Sequence, residues 1–282
     1  MSDKAKKPGS LKDIAAAMDA HQKSFGDIPC ISIDDAKRIL TGFLSLVFPH
    51  YLPDCDRGKK AIEKQLVTFQ TDLVEVFGGA TGWTKKTCEE KVAAFFQDLP
   101  EISKKIARDA ESLFNSDPAS ESLDEVILAY PGCYAVSAYR FGHYLLKMEI
   151  PLLPRLVGEY AHRVTGIDIH PGAEIGQSLF IDHGTGVVIG ETAVIGNNVQ
   201  IYHSVTLGAL KVDKSEKNKK RHPTVEDNVV IYSGATILGG KTVIGHDSVI
   251  GGNVWITHSI LPHSRVMYKS SDEAESGLNF TI

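Results

Sequence analysis

The sequence has little that would assign it to a membrane, to nucleic acid or to an oxidising compartment. No stretch approaches the roughly 18 consecutive apolar residues of a membrane span, and Met1 to Ser10 is polar and Lys-rich without the apolar core of a secretory signal. That pattern predicts a soluble, cytoplasmic protein with no membrane partner. Cysteine is scarce: Cys30, Cys55, Cys88 and Cys133 all lie in the first half and form no Cys-x-x-Cys pair, so reduced thiols are expected rather than a disulfide framework. No excess of one charge is present either. With 35 acidic and 30 basic residues the formal net charge is −5, which offers nothing to a nucleic acid. What remains is a chain of 282 residues, long enough for two ordinary domains, with small molecules and proteins as its partners.

Two kinds of periodicity divide it. Up to about residue 165, apolar residues recur at intervals of three and four. Ile62, Leu66, Phe69, Leu73 and Val76 form one stripe, and Val92, Phe95, Leu99, Ile102, Ile106, Ala110 and Leu113 another. These predict amphipathic helices packed on one another. Ser32 to Asp35 reads as a helix start, Asn115-Ser116-Asp117-Pro118 as a stop, and residues 123–147 as one further helix.

From Ile169 the interval becomes six. Ile169, Ile175 and Ile181 are followed by Ile189, Ile195, Ile201 and Leu207, then by Val225, Ile231, Ile237, Val243, Val249, Trp255 and Leu261. Small or β-branched residues such as Ala193, Val199, Val205, Val229 and Ala235 sit four positions after members of this series. A six-residue period held over about 90 residues is the signature of a parallel β-helix, a prism in which each hexapeptide supplies a short strand and a corner. The expected fold is α+β: an α-helical domain (1–165), a left-handed parallel β-helix (166–268) and a flexible tail (269–282). Prisms of this kind coil left-handed, which the period itself does not reveal.

The period breaks twice. It slips by two between Ile181 and Ile189, across His183 to Gly186, and is interrupted again over residues 209–222, a segment with five lysines. In the first break His183 lies within Asp182-His183-Gly184-Thr185-Gly186. Glycines there let a substrate approach the backbone closely, and an imidazole, with an ordinary pKa of about 6.5, is suited to taking a proton from an attacking alcohol. Local sequence alone more often marks a structural histidine, and it is the context that points to catalysis. Asp168, fifteen residues earlier, is nearly one coil away and suited to orienting the ring, or to capping the domain junction. Arg221-His222-Pro223 closes the second break, either as a carboxylate fork or as a solvated loop end. Lys211, Lys214, Lys217, Lys219 and Lys220 suit CoA phosphates no better than a charged loop. His203, His246, His258 and His263 include no pair a few residues apart in one coil of the kind that holds zinc, so no metal is expected.

Taken in order, Ile167-Asp168-Ile169-His170-Pro171, Asp182-His183-Gly184-Thr185-Gly186, Val188-Ile189-Gly190-Glu191-Thr192-Ala193, Ser204-Val205-Thr206-Leu207-Gly208 and Arg221-His222-Pro223 resemble the serine O-acetyltransferases, hexapeptide-repeat acyltransferases. Asp117-Pro118-Ala119 and Ala138-Tyr139-Arg140 extend the resemblance into the helical half. It implies transfer of an acetyl group from acetyl-CoA to the hydroxyl of L-serine, giving O-acetyl-L-serine for cysteine biosynthesis. Acetyl-CoA would be a co-substrate, with no permanently bound cofactor. His183 would be the base and Asp168 its orienting carboxylate, while Asp117, Asp182, Arg221 and His222 would hold the amino acid and the feedback inhibitor L-cysteine. Gly208 and Ala209 fall where CoA would run. A homotrimer or dimer of trimers is implied, with Arg221 and His222 reaching His183 from a neighbouring chain. The sequence departs from the family at Ala209-Leu210-Lys211, in place of a Gly-Thr-Gly-like start, and at Arg265-Val266-Met267-Tyr268-Lys269, in place of a Gly-x-Pro-Ala-Arg segment. The tail closes on Leu278-Asn279-Phe280-Thr281-Ile282, and by the same resemblance Ile282 would enter the active site of O-acetylserine sulfhydrylase. Two alternatives stay open: acetyl transfer to another small acceptor, and a role chiefly as the sulfhydrylase's binding partner.

Overall fold

The structure, a computed structural model, describes residues 10–52, 58–211 and 219–268. Cys55, Lys214, Lys217 and the tail ending in Ile282 lie outside them. The chain falls into two compact units, 1–30 and 31–282. In the first, helix α1 (Leu11–Lys23) starts at a capping box in which the Ser10 hydroxyl accepts from the Asp13 N–H and the Asp13 carboxylate accepts from the Ser10 N–H.

The second unit begins with α2 (Ile33–Val47), where Ser32 and Asp35 form the same reciprocal cap at the expected start. Four further helices precede the last: α3 (Lys59–Thr81), α4 (Lys85–Ser116), α5 (Leu123–Ala129) and α6 (Pro131–Lys147). Helix α7 (Leu153–Thr165) ends this series at Gly166, which takes the left-handed conformation as a C-terminal cap. The α4 stripe is buried from Val92 to Leu113 except for half-buried Ile102. In α3 the buried face is Ala61, Phe69, Leu73, Val76, Phe77 and Ala80, so Ile62, counted in the stripe, points to solvent. The single helix expected over 123–147 is two. Pro131 forces Tyr130 into extended backbone (φ −83°, ψ 120°) and lacks the N–H that would continue α5. None of the described helices is long and apolar enough to cross a membrane. Cys88 and Cys133 are buried and Cys30 exposed, all as free thiols.

The prism follows. Its first coil is β1 (Asp168–Ile169), β2 (Glu174–Ile175) and β3 (Phe180–Ile181); its second is β4 (Val188–Ile189), β5 (Val194–Ile195) and β6 (Gln200–Ile201). Then come β7 (Thr206–Gly208), β8 (Thr224–Val225) and β9 (Val230–Ile231), and β10 (Thr236–Leu238), β11 (Val243–Ile244) and β12 (Val249–Ile250). A shorter last coil holds β13 (Trp255–Ile256) and β14 (Arg265–Val266). All described pairings are parallel, and the strands stack as three faces: β1-β4-β7-β10-β13, β2-β5-β8-β11 and β3-β6-β9-β12-β14. We call the corners between faces one and two the first edge, between two and three the second, and between three and one the third.

The hexapeptide aliphatics fill the prism interior as expected through Ile237, and the companion residues Ala193, Val199, Val205, Val229 and Ala235 are also fully buried. After Ile237 the expected register is wrong by one. The inward residues are Ile244, Ile250, Ile256 and Val266, whereas Trp255 is 64% and Leu261 79% exposed. The first edge here carries an extra residue within Leu238-Gly239-Gly240. Gly239 takes φ +104°, and a Cβ on Gly240 would sit 2.0 Å from the Lys220 carbonyl. A glycine pair thus admits one more residue at the corner, and with a side-chain period of two that slip moves Val243, Val249 and Trp255 to the outside.

Helix α6 joins the two cores. Ala138, Phe141 and Leu145 pack into the helical core, while Ala135, Val136 and Tyr139 close the first coil of the prism, which would otherwise expose its apolar interior. The approach is tight, since a Cβ on Gly132 would lie 2.0 Å from the Ile181 carbonyl. Arg140 locks the joint. Its guanidinium forks onto Asp109 of α4 (2.8 and 3.0 Å) and donates to the carbonyls of Ile175 (2.7 Å) and Gly176 (2.5 Å).

Candidate active site

The two-residue slip sits at the third edge. Later coils turn this corner with a single residue at positive φ: Ser204 (59°), Gly234 (74°) and Asn253 (57°). The first coil uses His183 (55°), Gly184 (73°) and Gly186 (79°). The Gly184 N–H donates to the Asp182 carbonyl at 2.5 Å, so His183 is the centre of a three-residue turn in the strained, positive-φ form. A β-substituted residue held in that region is disfavoured, and such strain clusters at functional sites. The turn lifts the imidazole off the prism, leaving the side chain 74% exposed.

Two carboxylates converge on it. Asp182 Oδ2 lies 3.5 Å from His183 Nε2. Asp117, released from α4 by the stop signal, accepts from the Tyr130 hydroxyl (2.6 Å) and from the Ala119 N–H (2.8 Å). The Tyr130 bond, then the Ala119 bond, and then the field of His183 hold its carboxyl below the usual carboxylate range. Tyr130, pushed up to about 12 by donating to Asp117, stays a hydroxyl donor. The edge continues upward as a ladder. Tyr202 and Tyr232 occupy the Asp182 position in the next two coils and stack at 5.2 Å, while the ring of His203 meets that of His183 edge-on at 6.0 Å. Sequence reasoning missed His203 as a neighbour of His183, and Tyr130 and Tyr202 as neighbours of its carboxylates. For Tyr202 and His203 the signal was present, since each stands one coil beyond Asp182 or His183.

Asp168 lies in β1 beside Val188 of β4, and its carboxylate groups with Glu159 and His162 of α7. Among the described residues no hydrogen bond joins it to His183. Arg221 and His222 are at the first edge, apart from His183. Arg221 pairs with Glu191, whose carboxyl burial would raise but which that bond and nearby cations lower. The Thr192 N–H donates to His222 Nδ1 (3.0 Å), which requires a neutral imidazole. Burial first, then the Arg221 charge, push His222 down to about 4. Gly190 provides the room, since a Cβ there would sit 2.1 Å from the ring. Lys220 is taken up structurally, its ammonium donating to the carbonyls of Thr192, His222 and Pro223. Gly208 ends β7 at the same edge, and the Gly239 N–H donates to its carbonyl at 3.0 Å. Beyond Ala209, a cleft of about 480 Å³ is lined by Leu210, Lys211, Lys220, Arg221, Gly239, Gly240 and Lys241.

An acid-flanked imidazole thus lies on one edge of the prism and a cationic cleft on another. A Bacillus subtilis serine acetyltransferase is 44% identical over 162 residues, covering 57% of this chain and 72% of that protein. Serine acetyltransferase isoform 3 of Entamoeba histolytica, solved in complex with cysteine, superposes with a TM-score of 0.74 at 31% identity, covering 97% of this chain and 95% of that one. The chain belongs to the serine acetyltransferase family. The family likeness also takes in a plasmid-borne serine acetyltransferase of Synechococcus elongatus, 50% identical over 195 residues. That match spans 67% of this chain and 61% of the Synechococcus protein, less than two thirds of its length. No protein-family model matches the chain. The serine acetyltransferase structures share its order of helices followed by a left-handed β-helix of hexapeptide repeats.

Proposed function

We propose that the chain acetylates L-serine with acetyl-CoA to give O-acetyl-L-serine for cysteine biosynthesis. The observation that carries this reading is the meeting of two carboxylates with an exposed, strained imidazole at the third-edge corner that is two residues longer than those above it. Asp117 and Asp182 suit the substrate ammonium, and His183 stands where the hydroxyl would follow. His183 takes the hydroxyl proton, the alkoxide attacks the thioester carbonyl, and the tetrahedral oxyanion collapses to expel the CoA thiolate. His183 returns its proton to that thiolate, so the histidine ends as it began. No covalent enzyme intermediate and no resident cofactor is needed.

The acceptor carboxylate still needs a cation, and Arg221 is on a different edge of the same prism. A trimer, or a dimer of trimers, resolves this by setting the third edge of one prism against the first edge of its neighbour, bringing Arg221 and His222 to His183 across the interface. The same contact would cover an imidazole that is open to solvent in one chain. The cleft beyond Gly208 and Ala209, with Lys211 and Lys241, suits the CoA phosphates. Asp168 as the orienting carboxylate rests on its place in the family motif. L-Cysteine differs from L-serine by one atom and would occupy the same subsite, in keeping with the cysteine-bound Entamoeba relative. Pairing of Ile282 with O-acetylserine sulfhydrylase, and a cytoplasmic location, complete the reading. A thioester-consumption assay over a panel of hydroxyl and amine acceptors tests it. L-Serine should be the preferred acceptor, and preference for a sugar or an amine would overturn the assignment.

A further inference from the structure

The second edge carries a cluster that acyl transfer does not use. Its corner residues in successive coils are Asn198, Asn228, Asp247 and His263, each at positive φ (55°, 59°, 57° and 59°), so their side chains stack as a ladder. Asn198 Nδ2 donates to Asn228 Oδ1 (3.1 Å), and Asn228 Nδ2 donates to Asp247 Oδ1 (3.0 Å). That fixes the Asp247 carboxylate with Oδ2 pointing along the edge. There it meets two imidazoles, His246 Nδ1 at 2.7 Å and His263 Nδ1 at 3.7 Å, with the rings 4.9 Å apart and nearly perpendicular. All three ligand atoms lie within 4.8 Å of one another.

We propose that His246, Asp247 and His263 form a binding site for a divalent transition-metal ion such as Zn²⁺, separate from the acyl-transfer site. Two imidazoles and one carboxylate are a donor set that suits zinc, copper and nickel, and tetrahedral zinc at about 2.0–2.1 Å from each donor needs donors about 3.3 Å apart. The observed spacings of 2.7 and 3.7 Å bracket that value, so small side-chain rotations suffice. A fourth position stays open for water, as the side chains are exposed to solvent. Asn228 acts behind Asp247 as the outer-shell bond that orients a ligand. The charge is favourable too, since Glu226, Asp227 and Asp247 line the adjoining groove of about 570 Å³. The proton now shared by His246 and Asp247 is what the metal would displace.

The cluster also sits at the end of the second face. Its strands end at β11, and the last coil meets that face through the isolated bridge of Ile244 with Ile260 and through the Ser259 hydroxyl, which accepts from the Val243 N–H and donates to the Lys241 carbonyl. His263 belongs to that last coil and His246 to the one before. A metal shared by them would staple the end of the prism.

The test is zinc binding by the tag-free, full-length protein, read by calorimetry and elemental analysis, with cobalt absorption as a second probe. One Zn²⁺ per chain is expected, with a higher Tm. His246→Gln/His263→Gln should weaken binding at least 100-fold and remove the thermal shift, and Asn228→Ala should weaken it about 10–100-fold. His258→Ala should bind like the parent protein. Binding unchanged in the double variant would overturn the site. Should that variant fail to fold, the parent protein decides: no bound zinc and no cobalt d–d band overturn the site equally.

Discussion

Arg140→Ala should be among the most damaging single substitutions outside the candidate active site. Arg140 and Asp109 side chains are both 3% exposed, and the guanidinium makes two bonds to the carboxylate and one to each of two prism carbonyls. Its removal leaves the Asp109 carboxylate buried with the Leu179 N–H as its described partner, and leaves the Gly176 carbonyl without this donor. Breaking one partner of a buried pair costs about 3–5 kcal/mol, because the remaining charge is neither solvated nor paired. The loss should appear as a lowered urea midpoint at fixed chain concentration, since the proposed trimer would make stability concentration-dependent. Arg140→Met/Asp109→Leu should recover most of it, because apolar replacement of both partners removes the stranded charge. The joint also fixes α4, whose C-terminal end delivers Asp117, so the single variant should raise the KM for serine as well. A loss below about 1 kcal/mol, or a double variant as unstable as the single one, would refute the reasoning.

Other expectations concern the site. Gly184→Ala should lower both stability and kcat, because Gly184 sits at φ +73° and a Cβ would lie 2.3 Å from Ile167 Cδ1; unchanged melting and turnover would contradict the strained-turn account. Tyr130→Phe removes the 2.6 Å bond to Asp117 and should raise the KM for serine about 10–150-fold at nearly constant kcat, the worth of one hydrogen bond to a charged group. Stability should fall on acidification. His222 is neutral in the fold, at about 4 against an ordinary 6.5, so the unfolded chain binds the extra proton between those values. Its contribution is complete above about pH 6.5 and is lost as the pH falls toward 4, by at most about 3 kcal/mol at 1.36 per pKa unit. Urea midpoints at pH 7 and pH 5 should show the loss, and His222→Gln should flatten it.

Much of this was legible in the sequence, and the misses have physical causes. The interval of six is enforced by stacking in a closed interior, so it identified the prism and its inward residues through Ile237. It failed beyond because a glycine corner absorbs one residue without cost to the stack, and apolar residues on both sides of the slip leave either register plausible to the eye. Trp255 is the clearest casualty, an aromatic expected inside that stands outside on the first face. In the helical half the stripes were plain, but the break at Tyr130-Pro131 was overlooked, although a proline after a helical run is a legible stop. The irregular corners pointed to His183 and to Arg221. What the spacing could not supply was the partner of each side chain. Asp109 lies buried on the α4 face and answers Arg140 thirty-one positions later, and His263 answers Asp247 only because the coils stack.

The account turns on His183 as the base. The most direct measurement is the turnover of His183→Ala with L-serine and acetyl-CoA, with its melting temperature and assembly checked against the parent protein. The account predicts a fall of about two to four powers of ten with folding and assembly intact. Near-parental turnover in a folded variant would contradict it.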